Sequence, residues 1–125
     1  MKRKTKGSLA STNKIKHAGI HLIAEFWGGK IIDSPKEIRK ILYTATKKSN
    51  NTALGIKLHK FQPQGVTGFI LLAESHISIH TWPEMNYIAI DIFSCGAKGK
   101  PKKALDYFRQ VFKPKKVKIR QFRRG

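Results

Sequence analysis

The residues of this 125-residue chain that could carry chemistry are concentrated in one stretch, ESHISIHTWPE, from Glu74 to Glu84. Ser75 follows a glutamate directly, and His76 and His80 come shortly after it. Hydroxyl, carboxylate and imidazole groups are the ones that proteins use as nucleophiles, acids and bases. The stretch therefore raises two possibilities at once, a metal site and a serine hydrolase.

The local pattern weakens both possibilities. His76 and His80 have the HxxxH spacing, which would bring two zinc ligands together on a helix but holds them apart along a strand. The branched residues Ile77 and Ile79 between them indicate a strand. A Ser-His-acid hydrolase has the right residue types here, but the chain has no Gly-x-Ser-x-Gly elbow. We therefore expect no metal site, and the hydrolase is not favoured.

The elements predicted around this stretch follow the order β-α-β-β-β-β-α-β. The first helix, in SPKEIRKILYTATKK, has Ser34 as its N-cap, Pro35 in its first turn and Glu37 at the capping-box position. The second helix is predicted in PKKALDYFRQVFK. Two helices on one face of a largely antiparallel sheet make a two-layer sandwich of the α/β (α+β) class. The strands are predicted in GIHLIAEFWG, ALGIKLHKF, VTGFILLAES, HISIHTW, NYIAIDIFSC and KKVKIRQF.

Strand alternation divides the predicted sheet into an apolar face and a chemically rich face. The apolar face takes Leu54, Ile56 and Leu58 from the second strand, among other aliphatic residues. Since two helices cover only one face, we expect the other to be a site that a second subunit closes. That second face collects histidines, acids, aromatic rings and the only thiol: His21, Glu25, Trp27, His59, Phe61, His76, Ser78, His80, Trp82, Tyr87, Asp91, Phe93 and Cys95.

The segment GVTGFILLAESHISIHTWPEMNYIAIDIFSCG resembles the core signature of the prokaryotic S-adenosylmethionine decarboxylases, which are pyruvoyl-dependent enzymes. HLIAEF and HKFQPQGVTG resemble other parts of that family. The resemblance implies one decarboxylase domain over residues 17–125, preceded by a basic arm at 1–16. It also implies that the chain cuts itself between Glu74 and Ser75, and that Ser75 becomes a covalent pyruvoyl cofactor.

The resemblance implies a role for each reacting residue. The Ser75 hydroxyl would attack the carbonyl of Glu74 and convert the amide into an ester. His80 would then remove the α-proton of Ser75, and imidazole accepts protons near neutral pH. Thr67 stands where the family usually has serine and would support this processing. The pyruvoyl group would act as the electron sink for loss of carbon dioxide, and Cys95 would protonate the product carbon.

Strand parity adds a physical expectation to these implied roles. Ser75 and His80 have opposite parity, so a straight strand would place them on different faces. We therefore expect a bulge or sharp bend near Ser75, where local strain would also help the acyl shift. An unbroken strand over residues 66–82 would contradict this expectation.

The implied substrate, S-adenosylmethionine, carries a sulfonium cation, an adenine and a ribose. Phe61 and Trp82 are the expected contacts for the cation and the base, because aromatic faces attract cations and stack on bases. Glu84 would accept hydrogen bonds from the ribose. The product would supply aminopropyl groups for spermidine synthesis. Two alternatives stay open: a pyruvoyl decarboxylase for arginine or ornithine, and a basic nucleic-acid-binding protein on an inactive scaffold.

Charge and cysteine content narrow the class of protein. Lys and Arg number 26 against 7 Asp and Glu, for a net charge of +19, and most of this charge lies near the two ends of the sequence. Such ends attract polyanions, but no base-stacking aromatic pattern accompanies them, so a solvated basic surface is favoured over nucleic-acid binding. The single cysteine excludes an internal disulfide and favours a reducing compartment, the cytoplasm. No apolar run is long enough to cross a membrane.

Overall fold

The computed structural model describes residues 18–73, 75–95 and 99–125. The basic arm predicted at 1–16 and Glu74 of the expected cleavage site lie outside the described residues. The predicted element order is confirmed. The elements are β1 (Gly19–Trp27), α1 (Pro35–Lys48), β2 (Ala53–Lys60), β3 (Val66–Leu72), β4 (His76–Trp82), a short 3-10 helix (Pro83–Met85), β5 (Tyr87–Cys95), α2 (Pro101–Phe112) and β6 (Lys116–Arg124).

Helix α1 begins where its sequence signals predict. The Ser34 hydroxyl accepts a hydrogen bond from the backbone N–H of Glu37 at 3.2 Å, and Pro35 occupies the first helical position. This satisfies one of the N–H groups that a helix start leaves without a partner. The apolar residues of the helix recur every three or four positions and therefore form one stripe against the sheet. The buried members of that stripe are Ile38, Ile41, Leu42 and Ala45.

The sheet has six strands in the order β2-β3-β4-β5-β1-β6, and every neighbouring pair is antiparallel. Both helices pack on the same face, which confirms the two-layer sandwich. The core between the layers consists of alternate strand residues together with the two helical stripes. It includes Leu22, Ala24 and Phe26 of β1, Ile77 and Ile79 of β4, Ile88, Ile90 and Ile92 of β5, and Ala104, Leu105, Phe108 and Phe112 of α2.

Between β3 and β4 the chain reverses its direction completely. Leu72 and Ser75 exchange two backbone hydrogen bonds, from Leu72 N–H to the Ser75 carbonyl at 2.8 Å and from Ser75 N–H to the Leu72 carbonyl at 3.3 Å. Only Ala73 and Glu74 lie between them, so the connection is a two-residue hairpin. The sharp bend expected near Ser75 is therefore present, as the turn of a β-hairpin.

The expectation that Leu54 belongs to the core is wrong. The pairing of β2 with β3 shifts register between Ala53 and Gly55, and Leu54 is the residue left between the two paired positions. Such a bulge reverses the alternation on one side of it. Ala53, Ile56 and Leu58 pack against the core, whereas 61% of the Leu54 surface is exposed.

A buried leucine and an exposed leucine, each replaced by alanine, test the position of the bulge. Leu72→Ala should lower the free energy of unfolding by about 2–5 kcal/mol, because this side chain is only 1% exposed and its loss leaves a cavity. Leu54→Ala, the same chemical change on the exposed bulge, should cost less than about 0.5 kcal/mol. Denaturant unfolding of both variants measures the difference. Equal losses would mean that Leu54 is buried in solution.

Candidate active site

The sheet face opposite the helices carries polar and aromatic side chains on its four central strands, as the alternation predicts. Most are half-buried, but several large apolar groups stand exposed, including Phe69, Leu71 and Trp82 at 40%, 46% and 38%. Exposed apolar side chains grouped on one face mark a surface that something else covers. We call this surface, from β3 to β1, the open face.

Thr67 and His80 form the closest polar pair among the expected site residues. They lie directly opposite each other on β3 and β4. The Thr67 Oγ1 and His80 Nδ1 atoms are 3.0 Å apart, at hydrogen-bond distance. Threonine can donate or accept, so this bond fits either tautomer of the histidine and fixes the orientation of its ring. The sheet thereby brings together the two residues to which the resemblance assigns processing roles.

The expected substrate contacts gather at the same end of the sheet as His80. The Trp82 ring lies 6.1 Å from His80 and 5.4 Å from Tyr87 between centroids. Phe61 is 48% exposed and packs edge-on against His59 at 4.5 Å. Glu84 is exposed in the 3-10 helix that follows Trp82.

Asp33, which the sequence pattern did not single out, anchors the loop that carries Phe61. Its Oδ1 atom accepts a hydrogen bond from the backbone N–H of Gly65 at 2.8 Å, and its Oδ2 atom lies 3.2 Å from the Lys60 Nζ atom. The Phe61 N–H in turn donates to the Gly65 carbonyl at 2.8 Å. Asp33 and Gly65 are far apart in sequence, so no local pattern could have paired them.

Ser75 lies at the other end of the sheet from His80. It is buried, and it immediately precedes the first residue of β4. Because His76 pairs with Phe93, Ser75 lies next to the end of β5 that carries Cys95. Cys95 in turn pairs with Gly19, whose missing side chain leaves room for the thiol: a Cβ atom there would lie 3.1 Å from the Cys95 Sγ atom. The structure thus groups Ser75 and Cys95 at one end of the sheet.

Within one chain, Ser75 and His80 do not meet. Five residues separate them along β4, which corresponds to roughly 16 Å at a strand rise of about 3.3 Å per residue. Ser75 also has the parity of Ile77 and Ile79, which face the helices. The hairpin therefore supplies the expected bend without bringing the serine to the histidine.

A charged cluster that sequence reasoning did not assemble lies near Ser75. The His21 Nε2 atom is 3.3 Å from the Asp91 Oδ1 atom, close enough for an ion pair but with poor hydrogen-bond alignment. The Arg124 guanidinium lies 3.5 Å from the other His21 ring nitrogen and sits over the Phe93 ring. Burial and the neighbouring His21 lower the pKa of His76, which stacks on Phe69 at 5.4 Å. These residues come from β1, β3, β4, β5 and β6, and only strand pairing joins them.

Tyr87 and Glu25 form a second polar pair on the open face. The Tyr87 hydroxyl donates a hydrogen bond to the Glu25 Oε1 atom at 2.8 Å. Burial, followed by this hydrogen bond and the Glu25 charge, raises the pKa of Tyr87 to about 12, so the phenol stays protonated at neutral pH. Among residues 18–73, 75–95 and 99–125, no three His, Cys, Asp or Glu side chains cluster as metal ligands would, and no helix is long and apolar enough to span a membrane.

Comparison with known proteins places this arrangement in a family. The family model described as S-adenosylmethionine decarboxylase matches residues 20–125. Proteins named S-adenosylmethionine decarboxylase proenzyme are similar to this chain in Methanococcus aeolicus, with 47% identity over 89% of this chain and 97% of the relative, and in Methanococcus maripaludis strain S2, with 43% identity over 89% and 93%. A bacterial relative of the same name, from Persephonella marina, is 44% identical over 88% of this chain and 84% of its own.

The fold agrees with these sequence matches. The crystal structure of the adenosylmethionine decarboxylase from Aquifex aeolicus superimposes with a TM-score of 0.83 and 38% sequence identity, covering 88% of this chain and 92% of that one. The region that the family model matches contains both helices and, apart from Gly19, all six strands. The resemblance first seen in the ESHISIHTWPE stretch is therefore confirmed, and the chain belongs to the S-adenosylmethionine decarboxylase family.

Proposed function

We propose that this chain is a proenzyme that cuts itself between Glu74 and Ser75 and then decarboxylates S-adenosylmethionine, supplying the aminopropyl donor for spermidine synthesis. The single cysteine supports the view that it does so in the cytoplasm. The observation that carries the proposal is the position of Ser75, directly after a two-residue hairpin turn, in a chain whose family match runs through the whole site. The basic arm, 1–16, is proposed to lie outside the catalytic domain, 17–125.

The hairpin suits the first step of processing. The Ser75 hydroxyl attacks the carbonyl carbon of Glu74, the peptide C–N bond breaks, and an ester forms while the amine of residue 75 is freed. The backbone bonds between Leu72 and Ser75 hold the turn that contains the scissile bond. A base then removes the α-proton of Ser75, which expels the new α-carboxylate of Glu74 and separates the two chains. The dehydroalanine left at position 75 tautomerises to an imine, which water hydrolyses to the pyruvoyl group with release of ammonia. That cut also removes the turn, so residue 75 becomes free to reorient from the helix side of the sheet.

His80 is the proposed base, and the Thr67 hydroxyl orients its ring. Since roughly 16 Å separates Ser75 from His80 along β4, His80 cannot serve the Ser75 of its own chain without a large rearrangement. A second copy packed on the open face removes the separation along the strand, because a two-fold axis brings one end of the sheet against the other end of its partner. Ser75, whose side chain has the helix-facing parity, must also turn toward the open face before His80 can act. We therefore propose a homodimer in which the Thr67–His80 pair of one chain acts at Ser75 of the other.

The open face supports such a dimer. Its exposed aromatic rings and aliphatic groups would be buried by a second copy. Phe69, Leu71 and Trp82 would form the apolar part of that self-complementary interface. The helices already shield the opposite face of the same strands. Dimerisation on the open face would thus make a four-layer arrangement with both active sites between the two sheets.

The residues present fit a pyruvoyl cofactor, because the group is made from the atoms of Ser75 and Ser75 lies beside the end of β5 that carries Cys95. When formed, that group supplies the electron sink for loss of carbon dioxide from the amino acid end of the substrate. The Cys95 thiol is proposed to deliver a proton to the product carbon afterwards. Phe61 and Trp82 are proposed to contact the sulfonium and adenine, with Glu84 on the ribose.

Acidic side chains offer contacts to a cationic substrate beside Lys116 and Arg124, the basic side chains that β6 places over the Trp27 and Phe93 rings of the open face. Three acids border it, Glu25, Asp91 and Glu84, in a chain that has only seven acidic residues. The exposed Phe61 ring favours the adenosyl substrate over arginine or ornithine, which offer no base to stack. The alternative of an inactive nucleic-acid-binding scaffold is disfavoured because Ser75, His80 and Cys95 are all present in the sequence.

The direct test is the release of carbon dioxide by the purified two-chain protein. We expect turnover with S-adenosylmethionine and little or none with arginine or ornithine. Cys95→Ala is the informative control: it should still be cut into two chains, as intact mass will show, but turn over at least about a hundredfold more slowly. Faster turnover with arginine or ornithine would refute the substrate assignment, and an uncut Cys95→Ala chain would refute the proposed role of the thiol.

The Thr67–His80 hydrogen bond makes a separate prediction about processing. Thr67→Val keeps the shape of the side chain but removes the hydroxyl, so self-cleavage should slow by at least about tenfold. Thr67→Ser keeps the hydroxyl and should be cut at a rate close to that of the parent. Gel analysis of precursor and product over time measures both rates. Unchanged cleavage in Thr67→Val would show that His80 needs no orientation by this residue.

Co-expression of two inactive variants tests whether processing occurs between chains. Ser75→Ala has no nucleophile and His80→Ala has no base, so each alone should stay uncut. In a mixed dimer, the intact His80 of the Ser75→Ala chain faces the intact Ser75 of the other chain. We expect the His80→Ala chain, identified by a distinct affinity tag, to be cut only when both are co-expressed. If it stays uncut in purified mixed dimers, His80 acts within its own chain or not at all.

A further inference from the structure

The proposed reaction leaves the net charge of +19 unexplained. S-adenosylmethionine carries a sulfonium cation, so a strongly positive enzyme repels its substrate over the range of the ionic atmosphere. A charge of this size therefore needs another physical reason. Its distribution over the fold suggests one.

The helix layer carries an excess of positive charge. Helices α1 and α2 together carry eight basic residues against two acidic ones, Glu37 and Asp106. All ten of these side chains are exposed. The acids Glu25 and Asp91, by contrast, lie on the open face. Arg124 and Lys116 of β6 lie over the Phe93 and Trp27 rings of that same sheet face, so basic residues occur on both layers, and the helix layer is distinguished by its excess of them.

On the helix layer, four lysines line one groove. The groove has a volume of about 640 Å³ and lies between the C-terminal end of α1 and the N-terminal half of α2. Lys47 and Lys48 come from the first helix, whereas Lys100 and Lys103 come from the start of the second. Asp106 is the one acidic residue in its lining. Tertiary packing brings together charges that are about fifty residues apart in sequence.

These four lysines have no carboxylate partner in the part of the chain that the structure describes. The ion pairs within 4.0 Å there are Lys60–Asp33 and His21–Asp91, and neither lies in the groove. Like charges held close together in a concave surface raise the local positive potential. A bound polyanion would relieve that repulsion and release its own counterions.

One aromatic ring accompanies the charges. The Lys48 Nζ atom lies 5.8 Å from the centroid of the Tyr107 ring, which is half-buried in the groove lining. Positive side chains along a groove with an aromatic ring in its wall are the features by which proteins hold single-stranded nucleic acid, through phosphate contacts and base stacking. A flat basic surface with apolar side chains would suit a membrane, whereas this groove is concave and its lining is mainly lysine and other polar residues.

We propose that this groove, lined by Lys47, Lys48, Lys100 and Lys103, binds the phosphate backbone of a single-stranded nucleic acid, with Tyr107 available to stack on a base. This activity is separate from the decarboxylation proposed above and does not depend on it. The open face keeps the cationic substrate, and the opposite layer of the sandwich takes the anionic partner.

The test is the binding of a fluorescently labelled uridine oligomer to the full-length mature protein, followed by polarisation at about 50 and about 200 mM salt. The groove variant replaces its four lysines with glutamine: Lys47→Gln, Lys48→Gln, Lys100→Gln and Lys103→Gln. The matched control removes the same charge from exposed positions on the same two helices outside the groove: Lys36→Gln, Arg39→Gln, Lys40→Gln and Arg109→Gln. Circular dichroism and decarboxylation rates verify that both variants are folded.

We expect the groove variant to bind the oligomer at least about tenfold more weakly. The slope of the logarithm of the binding constant against the logarithm of salt concentration should also become shallower, by about 0.7 for each phosphate that the variant no longer neutralises. The control variant should stay within about threefold of the parent protein. Equal losses of affinity in the two variants would mean that net charge alone attracts the oligomer, and would refute the proposal that the groove is the binding site.

Three further experiments test whether the basic arm, a small phosphate ligand or a DNA duplex accounts for the binding. Truncation of residues 1–16 should leave the difference in affinity between the groove and control variants intact. If that difference disappears in the truncated protein, the binding site lies in the basic arm. Inorganic phosphate or a nucleoside triphosphate that competes at concentrations equal to the oligomer would reassign the groove to a small ligand. Tighter binding of a DNA duplex than of the oligomer would refute a single-strand site.

Discussion

The two backbone hydrogen bonds between Leu72 and Ser75 set the register on which the rest of the open face depends. A two-residue turn leaves one pairing of β3 with β4, and that pairing puts Thr67 opposite His80 and Phe69 opposite Ser78. A slip of one residue would send Thr67 and His80 to opposite faces of the sheet. The same turn contains the peptide bond at which the precursor is proposed to be cut, so one local structure both aligns the processing pair and carries its target.

That register also underlies the proposal that the active site is completed by a second copy of the chain. The hairpin groups Ser75 with the Cys95 end of β5, while His80, Trp82 and Phe61 lie toward the other end of the sheet. Strand geometry is stiff, and a separation of several residues along one strand cannot be closed by side-chain rotation. The proposed two-fold partner on the open face would bring the two ends together. It would also cover the exposed apolar side chains of that face.

The open face of the sandwich mixes acidic and basic side chains, whereas the exposed charges of the helices are mainly basic. The open face holds Glu25, Asp91 and the neutral Tyr87, whose raised pKa reflects its burial and its bond to Glu25. The helix layer is strongly basic. Because a helix exposes one side continuously, lysines can be placed there without disturbing the core stripe or the sheet. The proposed cationic substrate and the proposed anionic partner would approach one chain from opposite sides.

By itself, the sequence determined the element order, the helix start at Ser34, the identity of the open face and the family, because each of these depends on local periodicity, capping or an uninterrupted motif. Only the tertiary structure decided what depends on pairing between distant segments. It put Leu54 on an exposed bulge, separated Ser75 from His80, brought Asp33 to Gly65 and His21 to Asp91, and collected four lysines in one groove. Alternation states which face a residue occupies, but not which residue of another strand or helix lies beside it. Register, bulges and helix packing set those neighbours through contacts that no local pattern contains.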